Sequence, residues 1–169
     1  MQAATVLILI LAANTSYVDH FRLRGLRPQA ARGLAVLTCI DSRIEPLQML
    51  GLVPGDAKIL RNAGGRMTPD AIRSLVLAIH LLDVRRVAVI GHTQCKMTEA
   101  TNDELRAEIA ALAGTSTDGW DFEPIADHHA TLVDDIQRLR DCPLVPASVV
   151  IAALIYDVDS GRIGLEATV

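Results

Sequence analysis

The residues best suited to chemistry are two thiols and an imidazole, Cys39 in Cys39-Ile40-Asp41-Ser42-Arg43 and the pair in His92-Thr93-Gln94-Cys95. Thiolate and neutral imidazole are preferred ligands of Zn2+. A structural zinc site fills four positions with protein, whereas a catalytic one keeps a position for water. Three such ligands, with the carboxylate of Asp41 and the guanidinium of Arg43 beside the first thiol, read as the catalytic zinc site of a hydrolase or hydratase. Asp41 can accept a hydrogen bond from a metal-activated water and aim it at a small electrophilic carbon. Arg43, two residues on, can hold that carboxylate in a charge-assisted, bidentate pair. Two thiolates and one imidazole cancel the charge of the dication. Bound water is then acidified less than by three imidazoles, though still far below its bulk pKa of ~15.7.

These ligands lie more than fifty positions apart at their extremes, so the fold must bring them together. Leu34-Ala35-Val36-Leu37-Thr38, after Gly33, reads as a buried parallel strand that delivers Cys39 at its carboxyl end. Pro46 to Leu50 reads as a short helix stopped by Gly51, and Ala57 to Arg61 as a second strand ending in the turn Asn62-Ala63-Gly64-Gly65. Thr68-Pro69-Asp70 opens a helix with an N-cap hydroxyl, proline at the first helical position and an acid in the first turn. Ile72, Leu75, Val76, Ile79 and Leu82 recur at helical spacing and face a sheet. Arg86 to Ile90 is a third strand, which delivers His92. Asn102 to Leu112 and Ile125 to Leu139 read as helices on either side of a polar loop, Gly114 to Glu123, around Trp120. Ser148 to Tyr156 is strand-like, and Asp157 to Gly161 turns the chain into a short antiparallel strand, Arg162 to Leu165.

The expected fold is α/β, three layers in α/β/α order, with a mostly parallel central sheet and a C-terminal antiparallel edge strand. Ligands of open α/β sheets sit beyond the carboxyl ends of the strands. If the strands before Cys39 and His92 are neighbours, both residues reach one rim, and Cys95 joins them from the following turn.

At 169 residues the chain suits one domain, residues 1–169, with 1–33 as an N-terminal helical arm. Half of the residues are hydrophobic but only 3% are aromatic, so the core is aliphatic. So apolar a small chain is expected to bury further surface in an oligomer. A net charge of -4 argues against a nucleic-acid partner. Arg22, Arg24, Arg27 and Arg32 read as a solvated or partner-facing edge. The apolar run Val6 to Ala13 is far shorter than the ~20 residues needed to span a bilayer. No Lys or Arg precedes Arg22, so the run also lacks the basic start of a secretory signal. It reads as a buried or dimer-packed helix in a soluble protein with no membrane partner. Three cysteines cannot all pair, and reduced thiols fit a cytoplasmic location.

Other candidates carry less. Cys142, before Pro143, reads as a small buried hydrophobe. His80 lies in an apolar helix and reads as a satisfied core histidine. His128 and His129 are adjacent on a helix and read as exposed polar residues, either of which could shuttle protons. His20 carries no specific signal. Gly64 and Gly65 are not followed by Gly-Lys-Ser/Thr, which rejects a nucleotide-binding loop. Asn62 and these glycines are expected to shape the floor of the cleft through backbone geometry.

Taken together, Cys39, Asp41, Ser42 and Arg43, then Arg61-Asn62-Ala63-Gly64, then Gly91-His92 and Cys95 resemble the β-class carbonic anhydrases, over roughly Leu34 to Leu165. Lys96 stands where many members have glycine, and the N-terminal stretch is more apolar than the family's usual amphipathic start. The resemblance implies zinc on Cys39, His92 and Cys95. It also implies an Asp41–Arg43 dyad that gates the metal, with Asp41 taking the fourth zinc position in a closed state. It further implies a homodimer or dimer of dimers with the cleft at the interface. The expected reaction is reversible hydration of carbon dioxide to bicarbonate and a proton by zinc-bound hydroxide. The same fold and metal would also serve a carbon disulfide or carbonyl sulfide hydrolase. A non-catalytic zinc or redox-sensing module is the reading from a different class.

Overall fold

The computed structural model describes residues 2–169, with side chains from residue 6 onward. The elements in chain order are α1 (Gln2–Asp19), β1 (Leu34–Cys39), α2 (Pro46–Met49), β2 (Ala57–Asn62), α3 (Pro69–Leu81), β3 (Arg86–His92), α4 (Asn102–Ala113), α5 (His128–Arg140), β4 (Val150–Tyr156) and β5 (Ile163–Thr168). The strands form one sheet in the order β2-β1-β3-β4-β5. The first three pairings are parallel and the last is antiparallel. This is the expected mostly parallel α/β sheet with an antiparallel C-terminal edge strand.

The apolar runs became strands because they are buried. All residues of β1 after Leu34 are buried, as the continuous Val/Leu/Ala composition of a central parallel strand requires. Ala35, Leu37, Val87, Val89, Ile151 and Ala153 line one face of the sheet. They merge there with Ala71, Leu75 and Ala78 of α3 and Leu132, Ile136 and Leu139 of α5 into one aliphatic core. Val36 and Ile90 are buried on the other face, whereas Ala88, Ala152 and Leu154 remain half-buried there.

α3 begins as its sequence dictates: Thr68 Oγ1 accepts the Ala71 amide at 3.2 Å, and Pro69 occupies the first turn. α5 begins later than its periodicity indicates. Its N-cap is Asp127, whose carboxylate accepts the Ala130 amide at 2.7 Å, and the helix starts at His128. Ile125, the expected start, instead donates its amide to Met97 O at 2.8 Å and is buried. An apolar residue just before the helix thus mimicked its first turn.

α1 differs most from expectation. It extends beyond the run Val6 to Ala13 in both directions, and within the single chain it is not buried. Val6, Leu7, Ile8, Leu9, Ile10 and Leu11 are all more than half exposed. Residues 20–33 continue without regular structure. They tuck Ala30 under the sheet's amino end, where its amide donates to Leu82 O.

One polar contact ties the layers together from inside. Arg66 Nε donates to Asp135 Oδ2 at 2.8 Å, and both side chains are almost fully buried. Arg66 Nη1 also donates to Glu123 O at 2.7 Å, which fastens the loop before α5. Removing one member of a buried pair strands the other charge, at a cost of about 3–5 kcal/mol. Asp135→Ala should therefore lower unfolding free energy by about that amount in urea titration. A loss below ~1 kcal/mol, as for an exposed pair, would contradict this role.

Candidate metal centre

β1 and β3 are neighbours, with Thr38 paired to Ile90. Cys39 and His92 therefore leave the sheet at the same rim, and the turn after β3 returns Cys95 to them. The ligand atoms of Cys39, His92 and Cys95 all lie within 4.8 Å of one another, and all three residues are buried. The backbone under this group is pressed close. Gly65 adopts φ +67°, and a Cβ there would stand 3.1 Å from Thr38 C and 3.2 Å from Cys39 N. Only glycine suits both the left-handed turn and that approach. Asn62 locks the same turn, donating from Nδ2 to Arg66 O and accepting the Arg66 amide on Oδ1, each at 2.7 Å.

The imidazole is oriented by its own backbone. His92 Nδ1 lies 2.9 Å from Thr93 O, an acceptor only, so Nδ1 carries the proton. Nε2 then presents a lone pair. It is buried and has no hydrogen-bond partner among the described residues. An unpaired buried acceptor costs free energy, and a cation beside it removes the cost. The interaction between the two neighbouring thiols pulls the Cys39 thiol well below its ordinary pKa and pushes Cys95 up, with burial adding to the latter. Ile44 and Ile125 pack against both cysteines, with Met49, Met97 and Tyr156 around them. The donor set, its burial and the free Nε2 fit a thiophilic divalent cation of the zinc type.

Asp41 stands at the edge of the group, its Oδ2 4.0 Å from His92 Nε2. Arg43 grips it with Nε on Oδ1 at 3.0 Å, Nη2 on Oδ2 at 2.8 Å and its own amide on Oδ1 at 2.9 Å. These bonds, the side-chain ones foremost, hold the Asp41 carboxyl well below the usual carboxylate range. Arg61 supports the loop from beneath, donating to Cys39 O at 2.9 Å and Asp41 O at 2.7 Å. The motif Arg61-Asn62-Ala63-Gly64 was visible in the sequence, but this role for Arg61 was not. Gln94 was also missed. Its Oε1 accepts from Arg43 Nη1 at 3.0 Å and its Nε2 donates to Asp159 Oδ2 at 2.7 Å.

The remaining candidates lie elsewhere. Cys142 is half-buried against the main core, separate from the other two thiols. His80 is exposed, not a core histidine. α3 turns it outward, and Nε2 lies 2.8 Å from Leu144 O. His128 is half-buried, and burial lowers its pKa. His129 is exposed, with Nδ1 3.0 Å from Glu166 Oε2. His20 Nδ1 lies 3.1 Å from Ser16 O at the exposed end of α1.

Known proteins are similar to this chain. The carbonic anhydrase family model matches residues 34–141. Beta-carbonic anhydrase 1 of Mycobacterium tuberculosis is 30% identical over 154 residues, 90% of this chain and 93% of the relative. A carbon disulfide hydrolase of Saccharolobus solfataricus is 33% identical over 165 residues, 84% of this chain and 80% of that protein. Among solved structures, a carbonic anhydrase from Streptococcus mutans superposes with a TM-score of 0.90 at 37% identity. That match covers 95% of this chain and 97% of the other. The family-model match, the identity and coverage of the relatives and the superposition of the fold agree, and the chain belongs to the β-class carbonic anhydrase family.

Proposed function

We propose that this protein is a zinc carbonic anhydrase converting carbon dioxide and water reversibly to bicarbonate and a proton, with Cys39, His92 and Cys95 as the metal ligands. The observation that carries the reading is the buried triad with His92 Nε2 aimed into it and unpaired. A zinc ion held there would supply the Lewis acidity that makes water nucleophilic near neutral pH.

The chain's own groups do the rest. His92 is fixed in the Nδ1–H tautomer by Thr93 O, which commits Nε2 to the metal. Asp41 stays ionised over the working range, so it accepts a hydrogen bond from the attacking water and turns the oxygen lone pair toward carbon. With both oxygens tied to Arg43, the carboxylate is a weak competitor for the metal. The dyad is thus the gate: released from Arg43, Asp41 would take the fourth ligand position and shut the site. The similarity to a carbon disulfide hydrolase favours a second reading, in which the same constellation attacks carbon disulfide or carbonyl sulfide.

Stopped-flow CO2 hydration with a pH indicator tests the activity, and sulfide release from carbon disulfide tests the alternative. Asp41 does not titrate in the assay range, and two thiolates offset the metal's charge. The rate should therefore climb from about pH 7 to about pH 9 as water becomes easier to deprotonate. No rate above buffer across that range, with zinc bound, would reject the carbonic anhydrase reading.

We infer further that residues 1–169 act as one zinc-dependent domain in a homodimer or dimer of dimers, with residues 1–33 as an arm laid over the partner. The run Val6 to Leu11 of α1, apolar on all sides and more than half exposed, needs a cover, and the half-buried second face of the sheet offers one. No helix among the described residues is long and apolar enough to cross a membrane. We infer a cytoplasmic location, a reading that the free thiols of Cys39, Cys95 and Cys142 support. Deleting residues 1–13 should lower oligomer stability, read as dissociation at higher protein concentration in light scattering. An unchanged oligomer would contradict the arm.

A further inference from the structure

Gln94 sits between two of the proposed ligands in a conformation that asks for an explanation. Its φ is +55°, left-handed backbone that a non-glycine residue adopts at a cost. The twist turns its carbonyl toward Arg43, whose Nη2 donates to Gln94 O at 3.1 Å. The side chain reaches the same guanidinium, accepting from Nη1 on Oε1 at 3.0 Å. Its other end donates to Asp159 Oδ2 at 2.7 Å.

The orientation of this amide is forced. A guanidinium only donates and an ionised carboxylate only accepts, so the oxygen must face Arg43 and the nitrogen Asp159. Asp159 is itself fixed. It lies in the turn between β4 and β5, where its amide and the Ser160 amide donate to Asp157 Oδ1 at 3.1 and 2.7 Å. That turn is pinned to the loop after β3 by Val158 N on Thr93 Oγ1 at 3.1 Å and by Thr93 N on Tyr156 O at 3.0 Å.

We propose that Gln94 and Asp159 are positioning residues that lock Arg43 onto Asp41. The β4–β5 turn thereby sets how often the dyad opens. The proposal rests on the dyad's role as the gate given above. Without the Gln94 side chain, Arg43 keeps its bonds to Asp41 and to the backbone carbonyl of residue 94 but loses the Oε1 acceptor that ties it to Asp159, and its side chain is 44% exposed. Solvent then competes for the guanidinium, and the pair opens more often.

The test is hydrogen exchange at Arg43 Nε–H, followed by NMR in the zinc-loaded protein. Nε faces Asp41 and not Gln94, so faster exchange there reports opening of the dyad and not merely loss of the glutamine's own bonds. Gln94→Gly removes the side chain while suiting the left-handed backbone, and should speed exchange about tenfold, the worth of one hydrogen bond to a charged group. Asp159→Ala, on an exposed turn, should act in the same direction. The double variant should match Gln94→Gly alone, because Asp159 works through Gln94. Unchanged exchange in Gln94→Gly, or additive effects in the double variant, would overturn the proposal. Zinc content and CO2 hydration of the unaltered chain test the underlying reading separately, because the exchange rate needs no turnover.

Discussion

The parallel pairing of β1 with β3 sets Thr38 opposite Ile90, so Cys39 and His92 pass the same rim one and two residues later. The site depends on this register. A slip of one residue would turn each strand's side chains to the other face, sending a core residue into the site and a ligand into the core. Thr38 guards the register from within: buried, it donates from Oγ1 to Ile90 O at 2.8 Å. Gly65 and Arg61 then shape the chain just beyond the strand end, one by having no side chain and the other by bonding two carbonyls.

A second constraint is electrostatic. Two thiols and an imidazole are buried among Ile44, Ile125 and their neighbours, where charge is costly without compensation. A dication held there would balance two thiolates and give His92 Nε2 its partner. Asp41 is the carboxylate close enough to intrude, and the surroundings restrain it. Arg43 binds both oxygens, and Gln94 and Asp159 back Arg43 from the far side.

Much of this was legible in the residues. Continuous aliphatic runs gave the buried strands, Thr68-Pro69-Asp70 gave the start of α3, and ligand-like residues at two strand ends implied that those strands are neighbours. What stayed hidden depends on partners distant in the chain. Gln94 bridges Arg43 and Asp159, which are 51 and 65 positions away, and Arg66 meets Asp135 across 69. No local pattern marks such residues. His80 has the periodicity of a core helix, yet which side of α3 faces the sheet is set by the whole face, and it lies outside. α1 reads as buried because it is apolar, but a single chain does not supply its cover.

The central claim is that Cys39, His92 and Cys95 hold the metal while Asp41 is held beside it. Zinc per chain, measured by emission spectrometry on freshly purified Cys39→Ser, His92→Ala and Asp41→Ala variants, tests it most directly. Cys39→Ser and His92→Ala each remove one of three fixed ligands and should lose most of the zinc, whereas Asp41→Ala should keep about one per chain. Zinc stripped by Asp41→Ala but retained by Cys39→Ser would mean that ligand and gate are assigned the wrong way round.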